Sequence, residues 1–225
     1  MRPARSCAAC GAPAAAAFRA PPAEMAPDLD FRPGEPTRGT QEHWLQTCPT
    51  CGAVGPDLAA LCGTTAVIIA SPAYRDVVGP AYALAFLRWA TLCGAAGDAR
   101  HAGEAFLQAA WTADDAGDAA HAAQWRRDAA RVWDEPDIFE IALRQIDALR
   151  RAGDFTAAEV AAKRLAAQRP DDTTAQILAF QRARIVAGDA GRHLMSSALL
   201  PPAHTPHVAH GKASGKGFIA RLFGR

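Results

Sequence analysis

The chain has 225 residues and a formal net charge of +1, and half of it is hydrophobic, much of that alanine. This length holds one medium domain or a small one joined to a larger one, and the alanine favours helix over sheet. Near-neutrality excludes a global attraction to nucleic acid or anionic lipid, so such contact would need a local patch.

Met1 to Ala26 carries Arg2, Arg5 and an alanine run that mimics a secretory signal. Pro13, Arg19, Pro21 and Pro22 interrupt it, and it lacks the leucines and valines of an apolar signal core. The strongest apolar run, Ala66 to Ala70, is far shorter than the roughly 20 residues of a membrane span. The expectation is a soluble cytoplasmic protein, in a compartment where paired cysteines hold metal more often than they form disulfides.

Two such pairs stand out: Cys7-Ala-Ala-Cys10-Gly11 and Cys48-Pro49-Thr50-Cys51-Gly52. Two thiolates separated by two residues can face one ion from a tight turn, and a second turn completes a tetrahedral sulfur cage. Glycine after each pair permits the sharp reversal. Cys7, Cys10, Cys48 and Cys51 are therefore the predicted ligands of a structural Zn2+ in a zinc ribbon. So small a unit cannot bury enough apolar surface to fold alone, and chelation should unfold it. A redox dithiol at Cys7 and Cys10 lacks the helix opening that such pairs use, while a rubredoxin-like iron remains a chemical alternative. His43 is read as a surface imidazole, and Cys62 and Cys93 as small core residues.

Between the pairs, Pro21, Pro22, Pro27, Pro33, Gly34, Pro36 and Gly39 exclude a long helix. Glu42 to Thr47 reads as the strand entering the second pair. Asp57 to Cys62 reads as a helical turn, and Thr64 to Ala70 as a β-branched run that would add a strand or lie buried. Ser71-Pro72 and Gly79-Pro80 then mark a boundary. The division predicted is a zinc-ribbon domain over 1–70, a helical domain over 71–200 and a tail over 201–225.

From Ala81 onward the periodicity is helical, and a joint recurs: Gly97-Asp98, Gly117-Asp118, Gly153-Asp154 and Gly188-Asp189. Glycine ends one helix in the left-handed conformation and aspartate caps the next, which predicts stacked antiparallel helices. A helix over 136–152 places Ile138, Ile141, Ala142, Ile146 and Leu149 on one stripe. Asp154 to Ala158, with Ala162, Leu165 and Pro170, resembles a tetratricopeptide repeat, as does Trp89 through Gly97, Ala102 and Phe106. The joints at Gly153 and Gly188 are 35 residues apart, close to that repeat's period of about 34. An alanine-rich bundle with ordinary caps is the plainer alternative.

The paired cysteines, Asp28-Leu29-Asp30-Phe31 between them, and Ala109-Ala110-Trp111 with Asp114-Asp115 together resemble DUF2225, a bacterial family of uncharacterised proteins. The resemblance spans Cys7 to Trp133 and implies a zinc ribbon followed by tetratricopeptide-like helices, with no activity to carry over.

The tail holds His204, His207 and His210, read as a solvated linker, and ends in Phe218, Ile219, Arg221, Leu222, Phe223 and Arg225. As a helix that end would show one apolar and one basic face, suited to docking on a partner. No phosphate loop, nucleophile elbow or HExxH pattern is present. Asp114 and Asp115 lie at a helix end, unfavourable for acids unless they cap the next helix, and four thiolates leave a metal no open position. The functional expectation is a non-enzymatic scaffold whose helical groove takes a protein or peptide. Arg88, Arg144, Arg150, Arg151, Arg182 and Arg184 are available to an acidic segment there, although most read as solvated faces. The alternative is nucleic-acid binding through Arg2, Arg5, Arg19, Arg32 and Arg38.

Overall fold

Glycine-aspartate joints build most of this molecule, as a computed structural model describing residues 5–134 and 136–199 makes visible. Gly97, Gly117, Gly153 and Gly188 have φ of 80°, 73°, 81° and 64°, the left-handed region where a Cβ would strain the backbone. After each, the aspartate N–H reaches back to a carbonyl five residues earlier, as Asp98 does to Cys93 at 2.9 Å and Asp118 to Ala113 at 2.8 Å. The first three joints separate α3 (Leu84–Ala95) from α4 (Ala99–Asp115), α4 from α5 (Ala119–Val132), and α6 (Phe139–Arg151) from α7 (Phe155–Ala167). α8 (Asp172–Val186) follows Pro170, with Arg169 left-handed before the proline. Two short helices precede them, α1 (Thr65–Ala70) and α2 (Pro72–Arg75). The fold is mainly α, with a cysteine-rich amino-terminal unit ahead of the helices.

Caps follow the expectation in part. The Asp98 and Asp118 carboxylates accept the N–H groups of His101 and His121, each at 3.1 Å. Asp154 instead accepts from Arg127 Nε at 2.8 Å, because that arginine on α5 competes for the carboxylate. The fourth expected joint fails, since no α-helix follows Gly188 among the described residues, only a 3-10 turn over Met195–Ser197; Asp189 closes a loop by accepting from Gly191 N–H at 2.7 Å. α6 also begins later than predicted. Its N-cap Ile138 is extended and 40% exposed, so it lies off the buried stripe.

Sequential helices pack against one another, and α6 also meets α8. Ala109, Ala110, Ala113 and Ala122 form a core with Phe86, Leu87 and Trp125. Leu143, Ile146, Ala158, Ala162, Leu165, Ile177 and Leu178 form another over α6 to α8. Alanine lets helix backbones approach closely while the larger side chains fill what remains. Gly103, inside α4, serves the same end. A Cβ there would stand 2.2 Å from Trp133 Nε1, which donates to the Arg100 carbonyl at 3.1 Å.

In the amino-terminal unit, β1 (Gln46–Thr47) pairs antiparallel with β2 (Val54–Gly55). The strand expected from Glu42 is confined to β1, because Arg38–His43 form a 3-10 helix. Asp57 caps a 3-10 turn over Leu58–Ala60, within the turn expected there. The expected β-branched strand is the helix α1. Strand propensity yields to context, and the helix puts Ile69 against the cysteine cluster while Val67 points out, 75% exposed. No helix among the described residues is long and apolar enough to cross a membrane. The predicted tail, with its histidines and amphipathic end, lies outside the described residues.

Candidate metal centre

Each cysteine pair folds by the same hydrogen bonds. In the first, Gly11 N–H reaches Cys7 O at 2.8 Å and Cys7 N–H reaches Ala12 O at 2.7 Å. In the second, Gly52 N–H reaches Cys48 O at 2.9 Å and Cys48 N–H reaches Ala53 O at 2.8 Å. Gly11 and Gly52 are both left-handed, at φ of 76° and 74°. The sequence repeats a turn, and the turns face each other.

The sulfur atoms of Cys7, Cys10, Cys48 and Cys51 all lie within 4.8 Å of one another. Cys7 Sγ stands 3.9 Å from Cys51 Sγ, and Cys10 Sγ 3.7 Å from Cys48 Sγ. A tetrahedral ion bound at about 2.3 Å sets sulfur-sulfur edges of about 3.8 Å, so the donor set fits such an ion. All four thiols are free, with no disulfide among them. His43, exposed and 3.5 Å from Glu42, is not part of the cluster.

Burial opposes ionisation of the Cys48 thiol, yet the backbone N–H groups of Cys51 and Thr50 and the thiols of Cys51 and Cys10 outweigh it and bring Cys48 down to about 7. Burial pushes Cys51 up to about 12, aided by the thiols of Cys10, Cys48 and Cys7. One thiol is thus ready to ionise near neutrality while another resists. An ion must displace the remaining protons, so its affinity falls on acidification.

Cys7 and Cys48 sit in a small apolar cluster with Ala53, Leu58 and Leu61, against which Ile69 and Trp89 pack. Ala8 N–H donates to Leu58 O at 2.9 Å, and Tyr74 Oη donates to Gly52 O at 2.9 Å. The second turn is therefore pinned to α2 and α3 from outside.

A second constellation joins residues 28–31 with Trp111, Asp114 and Asp115, stretches that the sequence marks only as a family resemblance, without showing that they meet. Residues 28–44 cross the face formed by α4, α6 and α8. Trp111 Nε1 donates to Asp30 Oδ2 at 2.8 Å, and Arg151 donates to the same oxygen at 3.1 Å. Arg32, only 1% exposed, donates to Trp111 O at 3.3 Å, to Gln41 Oε1 at 3.1 Å and to Asp115. Gln41 Nε2 donates to Gln108 O at 2.8 Å. Leu29 and Phe31 join the core of α6 to α8, with the Arg144 guanidinium over the Phe31 ring. Beyond α8, Leu29 N–H donates to His193 O at 3.0 Å and Met195 N–H to Pro27 O at 2.8 Å.

These contacts revise several expectations. Asp114 and Asp115 cap nothing: Asp114 receives Arg126 and Arg151, and Asp115 receives Arg32 and Arg38. Arg144 pairs with Glu104 and Glu140, Arg150 with Asp147 and two carbonyls, Arg182 with Glu159, and Arg184 with Asp189. With Arg151 they are tied into the fold rather than forming a free basic face. Of the arginines expected to meet phosphate, Arg5 pairs with Asp57, Arg32 is buried, Arg38 pairs with Asp28 and Asp115, and Arg2 lies outside the described residues. Cys93 is buried as expected, but Cys62 is exposed, its sulfur 3.2 Å from Thr64 Oγ1 and 3.3 Å from Thr65 Oγ1.

Burial drives Asp28 above the ordinary carboxylate range, with Asp30 adding to the rise against Arg192 and Arg38. Burial works on Asp30 too, but Arg151, Arg126 and the Trp111 indole hold it below that range. Comparison with known proteins finds no matching family, no similar curated protein and no similar solved structure.

Proposed function

We propose that this protein is a non-enzymatic protein-protein interaction scaffold, a zinc ribbon at Cys7, Cys10, Cys48 and Cys51 joined to a tetratricopeptide-like helix stack. DUF2225 membership and a cytoplasmic location belong to the same proposal. The observation that supports it is the face of α4, α6 and α8, which holds an irregular segment of the chain itself through apolar side chains and charge pairs. A face suited to one extended segment is suited to another.

Because residues 28–44 cover much of that face, the partner engages what they leave open. Beside Phe31 lies a cavity of about 300 Å³ walled by Ile138, Phe139, Leu143 and Ile177, with Asp137, Glu140 and Asp171 also lining it. This chemistry fits a segment that offers an apolar side chain flanked by basic residues, rather than the acidic segment the free arginines suggested. Four thiolates would saturate the metal and leave no position for substrate, which supports a structural ion. Zinc and iron both suit tetrahedral sulfur; a metal assay with an absorption spectrum decides, since zinc is colourless.

The test is binding of peptides carrying a central leucine or phenylalanine between lysines or arginines, to the wild-type chain and to Ile138→Asp. Binding that is lost in the variant supports the scaffold, and no binding, or binding indifferent to the substitution, overturns this site. Oligonucleotide binding that falls steeply with salt would favour the nucleic-acid alternative instead.

A further inference from the structure

Most arginines packed against this fold have a carboxylate partner, but Arg88 on α3 has none among the described residues. Its Nε is buried and meets no hydrogen-bond acceptor. Arg88 lines a cavity of about 430 Å³ with Arg75, Tyr74, Cys51, Gly52, Ala66, Ile69 and Ala70. Among the described residues no aspartate or glutamate lines that space, and what closes one side of it is the second cysteine turn.

The missing negative charge is supplied by chemistry rather than by a side chain. Four thiolates around one divalent ion leave the centre two charges negative, and a partly buried anion needs a compensating cation. Arg5 is already neutralised by Asp57. We propose that Arg88 is the counter-ion of the loaded metal centre, acting from α3 across Tyr74, with the exposed Arg75 adding a solvent-screened contribution. This rests on reading the four cysteines as a metal site.

Tyr74 reports the same arrangement. Its hydroxyl donates to Gly52 O at 2.9 Å, and it lines the same cavity as Arg88 and Cys51. One phenol therefore borders both the guanidinium and the turn that carries a ligand sulfur. Because Arg88 belongs to the helices and Cys51 to the amino-terminal unit, the charge contact fastens one to the other, more firmly with metal than without.

The test measures zinc dissociation from the full chain by competition with a chromophoric chelator, for wild type, Arg88→Met, Arg88→Lys, Arg75→Met and, as a distant charge control, Arg131→Gln. Arg88→Met is expected to weaken zinc about tenfold or more, the scale on which groups around metal ligands act. Arg88→Lys should lose less, Arg75→Met less than Arg88→Met, and Arg131→Gln nothing. Thermal midpoints with and without zinc separate this role from plain packing, since a lost counter-ion costs more in the loaded protein and a packing defect costs both forms equally. Equal zinc affinity in Arg88→Met and wild type, or equal cost in both forms, overturns the proposal. A wild-type chain that binds no metal overturns the metal reading itself. Should Arg88→Met fail to fold, Arg88→Gln replaces it: zinc held as tightly as by Arg88→Lys overturns the proposal, and weaker retention upholds it.

Discussion

The cysteine turns and the segment 28–44 are both short of regular structure, yet they are fixed by opposite means. The turns meet each other, and their donors are spaced by two residues within each pair. The segment meets helices, and its partners are scattered over α4, α6 and the chain beyond α8. One is held by a centre it makes itself, the other by a surface that the rest of the chain must first build. Irregular backbone needs an anchor in either case, because it lacks the internal ladder that satisfies a helix.

The difference can be broken most sharply at the cysteines. Cys48→Ser should abolish stoichiometric metal binding and hydrogen-exchange protection over residues 5–14 and 46–55, while α4 to α8 stay protected. A structural zinc contributes on the order of 10 kcal/mol to such units, far more than the small cluster around Leu58 and Leu61 can replace. Loss of protection throughout the helices would mean that the two regions form one cooperative unit.

Next in size is the buried aspartate. Asp30→Ala strands the Trp111 indole and leaves Arg151 with Asp114 alone, and breaking a buried charge pair costs about 3–5 kcal/mol, read from urea unfolding. Asp28→Asn should cost less than Asp30→Ala, since burial disfavours the charged form of Asp28 and offsets part of what Arg192 and Arg38 contribute. The pH dependence carries the same contrast. Asp30 and Asp114 sit low, so the stability they confer is complete above the unfolded value of about 3.9 and lost as pH falls through their depressed folded values. Asp28 and Asp147 sit high and run the other way, costing stability as pH rises from the unfolded value through their folded ones. In acid titrations, Asp28→Asn should weaken the second trend, leaving the share of Asp147, and Asp30→Asn the first, leaving the share of Asp114.

Gly103→Ala sharpens the comparison within the helices. Alanine gains about 1 kcal/mol of helix propensity, but its Cβ collides with Trp133, and overpacking costs about 1–3 kcal/mol; a net loss is expected in thermal unfolding. The smallest effect belongs to Asp98→Ala or Asp118→Ala, each removing one N-cap for about 1 kcal/mol.

What was legible in the sequence followed the same division. The four cysteines, the glycine after each pair and the left-handed joints at Gly97, Gly117 and Gly153 are local patterns, and local geometry realised them. Asp30 and Trp111 stood out only within stretches that resemble a family, with no spacing to tie one to the other, and Arg32 had no local pattern at all. Asp30 lies among prolines and Arg32 reads as one of the arginines available to phosphate, because only the assembled helices bring Trp111 and Arg151 to them. α1 was misread for a related reason: Val67, Ile68 and Ile69 have strand-forming side chains, but the cysteine cluster needed one of them, and a single helical turn presents one. Gly188 resembled the other joints, yet Arg150 on α6 takes the carbonyls of Asp189 and Gly191 at 2.6 and 2.8 Å and turns the chain back towards Leu29.

The place of segment 28–44 in the chain has a consequence for biosynthesis. Asp30 is translated 81 residues before Trp111 and 121 before Arg151, and Asp28 precedes Arg192 by 164. At ordinary elongation rates the ribosome needs on the order of ten seconds to supply the last of these partners. Through that interval Leu29 and Phe31 emerge with no helix face to cover them, although the cysteine turns, complete by Gly55, can already close. Segment 28–44 thus leaves the exit tunnel well before the helices that fix it, and a neighbouring nascent chain on the same message carries an identical segment ready to take its place.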